Sequence, residues 1–285
     1  MDYTYSYIID YDAQVASGAT TTDSDDIERV VTYLKAATAY IETETNRVFV
    51  PTRKTVSIYP HNFNDYIDAN PSIIRLPDGY AVNSIIATGS TLTEGTDYVV
   101  VRDGLDLLVI HTTSAWRGYV VNPSEAAVSI DYITAPSDGR WVLTNDSVQD
   151  VGGVSATGTQ ITVSDASGSD AVFEQPRFQI GMVLKAGDEY MIVEGISSNT
   201  LTVIRGALGT TAASIAQGTS LSRWYVPRSC RRASQLISSH MYANRGNFNR
   251  IQLSENSRLI NTTVEIPFEA TQLINYLRRI YVRGV

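Results

Sequence analysis

Two stretches of helical periodicity lie near opposite ends of this 285-residue chain and enclose a long tract of short β-rich runs. In the first stretch Ile27, Val30, Val31, Leu34, Thr38 and Ile41 recur at three- and four-residue steps, which places one apolar stripe against a core. Asp23 or Ser24 is the expected start, since acidic and hydroxyl side chains accept the free amides of a first turn and complement its positive end. Asn46 is the expected left-handed stop. In the second stretch Pro227 suits a first helical position, because its missing N–H would be unpaired there anyway. Cys230, Ala233, Ile237, His240 and Met241 form the expected buried stripe, with Gly246 at the end. Pro267 opens a short last helix in which Phe268, Leu273, Ile274, Leu277 and Ile280 bury and Arg278 and Arg279 face out.

Between the helices, period-two alternation and β-branched runs predict strands at 48–50, 55–59, 73–76, 82–86, 98–101, 107–111 and 128–133. Pro77-Asp78-Gly79 and Arg102-Asp103-Gly104 are turn signals between them. Residues 136–225 are rich in Gly, Ser and Thr and poor in helix formers, with strands expected at 160–163, 182–185, 190–193 and 200–204, which reads as an inserted all-β sandwich or small barrel. At the N-terminus Tyr3, Tyr5, Tyr7, Ile9 and Tyr11 alternate with Asp2, Thr4, Ser6, Ile8 and Asp10. That is a strand pattern, either an edge strand of the chain's own sheet or an arm that adds to a neighbouring subunit.

Charge is distributed unevenly. Residues 226–285 hold nine arginines against three glutamates, a surplus of six, so the other 225 residues carry −14 of the formal net −8. Such separation bears on partners and association rather than on fold. A general nucleic-acid binder would be basic overall. Arg228, Arg231 and Arg232 therefore have three readings: phosphate contacts, a solvated face, or an interface whose guanidinium forks meet carboxylates of a neighbour. The acidic first turn of the first helix, Asp23, Asp25, Asp26 and Glu28, supplies such carboxylates.

The residues of catalysis are sparse. His61, His111 and His240 stand outside any metal-ligand spacing, and no Gly-x-Ser-x-Gly elbow occurs. The acidic run lacks the spacing of a calcium loop. Glu42 with Glu44, and Asp65 with Asp68, are carboxylate pairs of a kind common on solvated surfaces. Gly206 and Gly209 lack the Gly-Lys-Ser/Thr ending of a phosphate loop and read as a tight turn. Cys230 is the only cysteine, which excludes an intrachain disulfide. No run of about 18 apolar residues is present, and the first residues lack a secretory pattern. The expectation is a cytoplasmically made, non-enzymatic protein without metal, cofactor or membrane contact.

The segments TAYIETETNRVFVPTR, SIIRLPDGYAVNSIIATG, the DYVV strand from Asp97, VPRSCRRASQLISSHMYANR and PFEATQLINYLRRI resemble, in order and pattern, the head-to-tail adaptor proteins of tailed bacteriophages. The segment GDEYMIV, TLTVIRG, GT is similar to a β-module of phage virion proteins. The resemblance covers 22–135 and 226–285 and implies a helical adaptor core with a small antiparallel sheet there; with the N-terminal arm (1–21) and the all-β insert (136–225), which departs from the family's compact pattern, the expected fold is α+β. The resemblance also implies a virion protein at the head–tail interface, assembled in the host cytoplasm as a homo-oligomeric ring of about twelve copies. Such a ring binds the portal protein above and the stopper, tail or fibre proteins below, and genomic DNA passes through its channel. The charge separation and the alternating tyrosines supply the expected interface residues, Arg228, Arg231, Arg232, Asp23, Asp25, Asp26, Glu28, Arg278 and Arg279, with Tyr3, Tyr5 and Tyr7 on the arm. The insert leaves a second reading open, a tail-fibre or baseplate attachment protein.

Overall fold

The computed structural model describes residues 24–59, 61–67, 70–113, 115–119, 128–170, 176–244, 252–253, 259–260 and 266–278. The tyrosine-rich N-terminal segment, Asp23, Gly246, Arg279 and Ile280 lie outside them.

The fold is mostly β, which overturns the expected helical adaptor core. Among the described residues, antiparallel sheets of four, three and six strands carry most of the regular structure, and helix is confined to Ser24–Thr45, Arg228–Ala243, Phe268–Leu277 and the single turns Phe63–Tyr66 and Trp116–Tyr119. The reason is legible in the packing. Most fully buried large aliphatic side chains, among them Ile58, Ile74, Leu76, Ile85, Ile130 and Ile161, sit on strands, so the apolar area that drives folding is buried by sheets.

The chain divides into two compact units. One comprises Val48–Arg140 with Gly206–Thr211. Its strands are β1 (Thr52–Ile58), β2 (Ile73–Leu76), β3 (Gly79–Ala87), β4 (Ser90–Leu92), β5 (Tyr98–Asp103), β6 (Asp106–His111) and β7 (Val128–Thr134), with a single helical turn, α2 (Phe63–Tyr66), before β2. They form a four-stranded sheet, β1-β7-β3-β4, and a three-stranded sheet, β2-β6-β5. Ile58, Ile85, Val128 and Ile130 of the first and Ile74, Leu76, Leu107 and Val109 of the second share one core with Trp116. The turn signals act as read: Asp78 has φ +51° between β2 and β3, and Gly104 has φ +59° between β5 and β6. Gly209 is also a turn residue. It has φ +83°, and a Cβ there would lie 2.2 Å from the Arg53 carbonyl oxygen. The Arg53 N–H donates to the Leu208 carbonyl at 2.8 Å, tying this segment to β1.

The other unit comprises Met1–Arg47, Trp141–Arg205 and Ala212–Val285. It holds β8 (Arg140–Ser147), β9 (Gln160–Thr162), β10 (Val183–Ala186), β11 (Glu189–Ser197), β12 (Thr200–Ile204) and β13 (Ser220–Tyr225), in the order β8-β13-β10-β11-β12-β9. Their core gathers Ile161, Leu184, Met191, Leu201 and Leu221. Buried ion pairs brace the sheet: Arg205 with Glu189 at 2.7 Å, Arg223 with Asp170 at 2.5 Å, and Arg177 with Asp146 at 3.3 Å. Three helices complete the unit: α1 (Ser24–Thr45), α3 (Arg228–Ala243) and α4 (Phe268–Leu277), where α2 denotes the short turn Phe63–Tyr66. A two-stranded ribbon, β14 (Gln252–Leu253) with β15 (Leu259–Ile260), precedes α4. Asn46 closes α1 with φ +52°. In α3 the buried face is Cys230, Ala233, Ser234, Ile237, Ser238 and Tyr242. In α4, Ala270, Ile274 and Leu277 are buried, but Phe268 points outward at 77% exposure, against its expected place in the core.

Candidate interaction surface

The arginines of α3 crowd its first turns, where the helix has no acidic residue and no side-chain cap. Positive charge at the positive end of a helix is unfavourable by roughly 0.3–1 kcal/mol per residue, so these side chains need local partners. Arg228 is exposed. Arg231 is half-buried: its Nη1 donates to the Tyr225 hydroxyl at 3.1 Å, and its guanidinium stands 5.8 Å from the centre of that ring. Burial pushes the Arg231 guanidinium below its ordinary value. Arg223 approaches the same ring at 5.7 Å, so Tyr225 links the basic helix to the Arg223–Asp170 pair of the sheet. Burial lowers Arg223 as well, with Asp170 opposing the shift. Arg232 is half exposed and pairs with Glu269 of α4 at 3.3 Å.

A second polar seam joins the end of α4 to the end of α1. Arg278 pairs with the Glu44 carboxylate and donates from Nε to the Glu44 carbonyl at 2.9 Å. Arg47, itself buried, donates to the Leu277 carbonyl at 2.9 Å. The partners Glu44, Glu269 and Tyr225 carry this arrangement; Tyr225 is six residues from Arg231, but Glu269 and Glu44 lie 37 and 234 residues from their arginines, and spacing alone gives no sign of them.

The opposite end of the helical layer is acidic. Val30 and Leu34 of α1 pack on Tyr242 in the last turn of α3, and Tyr33 meets the Tyr242 ring edge-on at 6.5 Å. The first turns of α1 therefore sit at the C-terminal end of α3. Ten residues of helix separate Arg232 from Tyr242, about 15 Å of rise. Asp25 and Glu28 are exposed there, and Asp26 pairs with Arg29 of its own helix at 3.7 Å. An open cavity of about 390 Å³ is lined by Asp25, Glu28, Arg29, Thr32 and Tyr33. Within one chain the basic cluster and the acidic turns thus lie at opposite ends of one layer. Arg279, Asp23, Tyr3, Tyr5 and Tyr7 lie outside the described residues.

The histidines are held locally. His111 Nε2 lies 2.8 Å from the Tyr119 hydroxyl and its ring meets Trp116 edge-on, His61 stacks on Tyr59, and His240 neighbours Asn244. Among the described residues no cluster of three His, Cys, Asp or Glu side chains is placed to hold a metal ion, and no described helix is long and apolar enough to cross a membrane.

No family model matches the chain, and no curated protein matches it. Among solved structures it is similar to a chain described as the neck of an empty GTA particle computed with C6 symmetry, at 10% identity, with 98% of this chain and 93% of that chain covered and a TM-score of 0.41. At that similarity nothing passes from the particle to this chain, whose function is read from its own residues.

Proposed function

We propose that the chain is a structural subunit of the connection between head and tail in a tailed-phage-type particle, an adaptor that closes into a ring under the portal. In this reading the ring lengthens the DNA channel and offers its lower face to a stopper, tail or fibre protein. Its role is assembly rather than catalysis.

The observation that carries the reading is the charge polarity of the helical layer. A heterologous interface joins one face of each subunit to a different face of the next, and closes when the rotation divides a full turn. Arg228 and Arg232 at one end and Asp25 and Glu28 at the other give a subunit two unlike, complementary ends. The same polarity opposes a two-fold dimer through either end, where like charges would meet. The excess of acid over base in the chain suits a channel through which DNA slides, since phosphate binding requires Lys or Arg to displace counterions.

The test is the mass of the purified protein and its two-dimensional electron-microscopy class averages, alone and mixed with the portal protein. A closed ring of about twelve copies, formed alone or only on the portal, supports the adaptor reading. A stable trimer indifferent to the portal overturns it in favour of a fibre or baseplate attachment protein.

A further inference from the structure

α4 buries Ala270, Ile274 and Leu277 and turns two aromatic rings the other way, Phe268 at 77% and Tyr276 at 80% exposure. With exposed Gln272 they follow one another at four-residue steps, the spacing of neighbours on a helix surface. Rings of this kind are the side chains that interface cores favour, because they bury a large area with few rotatable bonds. Phe268 also stands in a defined charge environment. It precedes Glu269, which holds Arg232 of α3 at 3.3 Å, and Arg228 lies one turn before Arg232 on the same helix. The phenyl ring therefore sits at the basic end of the helical layer.

The acidic end holds a recess. Asp25, Glu28, Arg29, Thr32 and Tyr33, at three- and four-residue steps on one face of α1, line the open cavity of about 390 Å³. A cavity of about 150 Å³ accepts a benzene ring, so a benzyl group has room here. Tyr33 supplies an aromatic wall and Arg29 a guanidinium, both favourable neighbours for a phenyl ring, while Asp25 and Glu28 are exposed carboxylates beside them.

We propose that Phe268 is the aromatic anchor of the contact between copies: it seats in the α1 cavity of the next subunit, where Arg228 and Arg232 of the first chain meet Asp25 and Glu28 of the second. Charge selects this occupant. A ring flanked by guanidinium groups complements a recess lined by carboxylates, and complementary potentials fix which surfaces meet. Two α4 stripes packed on each other would instead bring basic ends together. The inference rests on the head-to-tail sense of the adaptor reading and names the side chain that holds it.

Self-association of full-length Phe268→Ala is compared with that of the natural protein by sedimentation velocity, alone and with the portal protein. The expected result is a contact weakened about thirtyfold, the loss that truncating an aromatic hot spot brings, at an unchanged melting temperature, since the ring is mostly exposed. The place of the contact is read separately by mixing Gln272→Cys and Thr32→Cys chains with a short bismaleimide; the native Cys230 is buried. A linked dimer is expected, lost when Phe268→Ala is added to the first chain or when Leu143→Cys on β8 replaces Thr32→Cys. Undiminished self-association of Phe268→Ala, or no link between assembled copies, overturns the anchor. Weaker binding to the portal with self-association unchanged assigns Phe268 to the portal and overturns it too. Closed rings that survive Phe268→Ala leave the adaptor reading standing without this contact, whereas the cross-link in an assembly that never closes keeps the contact and sinks the ring. A chain that stays monomeric with and without the portal overturns both.

Discussion

Arg205 clasps Glu189 with two parallel contacts, Nε to Oε1 at 2.7 Å and Nη2 to Oε2 at 2.8 Å, and both side chains are almost wholly buried. The guanidinium also donates to the carbonyls of Ser155, Gly158 and Ala213, so one residue joins β12 to the loops around β9 and the segment before β13. Breaking a buried pair by neutralising one partner leaves the other charge stranded, at a cost of about 3–5 kcal/mol. Glu189→Gln should therefore lower the urea midpoint of the six-stranded unit sharply, while Glu194→Gln, on a less buried side chain of β11, should shift it little.

Asp146 sets the acid limit of the same unit. Burial pushes its carboxyl up, but the hydrogen bonds from Ser164, Asp165 and Ser147 outweigh it and hold the native value below the ordinary one. A depressed native value means that its stabilisation is complete above the unfolded value of about 3.9 and is lost as pH falls through the native value. Melting temperature followed downward from pH 5 should drop more steeply in the natural protein than in Asp146→Asn, which starts lower and has a flatter acid limb.

Gly209 is held at φ +83° with the Arg53 carbonyl where a Cβ would stand. Gly209→Ala combines an unfavourable conformation, roughly 1–3 kcal/mol, with a backbone clash. It should destabilise the unit built on β1–β7 by more than that conformational cost alone. Gly89→Ala, at φ +81° with nothing near the added carbon, isolates the conformational part in the same denaturation experiment.

Arg228→Glu with Arg232→Glu tests the charged end of the helical layer. The Arg232–Glu269 pair is more than half exposed on both sides, and such pairs contribute no more than about 1 kcal/mol. The double variant should keep its melting temperature within a few degrees and lose assembly by light scattering. Adding Asp25→Arg and Glu28→Arg should restore it in part. A double variant that assembles like the natural protein would remove these arginines from the subunit contact.

Strands were legible where β-branched residues run between strong turn residues. The sequence pattern places strands at 73–76 and 200–204, and β2 and β12 occupy those residues, each next to a turn or bend that favours left-handed residues. β8 and β13 escape the pattern because their inward positions include Thr144, Asp146 and Arg223, which are buried. A charged residue inside a sheet is tolerable only with its partner in place, and Asp170 lies 53 residues from Arg223. Nothing local announces that pairing. The helices were located well, yet their weight in the fold was overstated, since helical periodicity is a stronger signal over 20 residues than strand alternation over five. For the candidate surface, the arginines and acidic turns were visible as residue types. Their placement at opposite ends depends on the contact of Tyr242 with Val30 and Leu34, which no spacing encodes.

The Arg47–Leu277 hydrogen bond spans 230 residues of sequence, and this has a consequence during translation. At synthesis rates of roughly 5–20 residues per second, α1 emerges from the ribosome and waits on the order of tens of seconds before α4 exists to receive it. The seam between the end of α1 and the end of α4 closes only when nearly all of the polypeptide has been made.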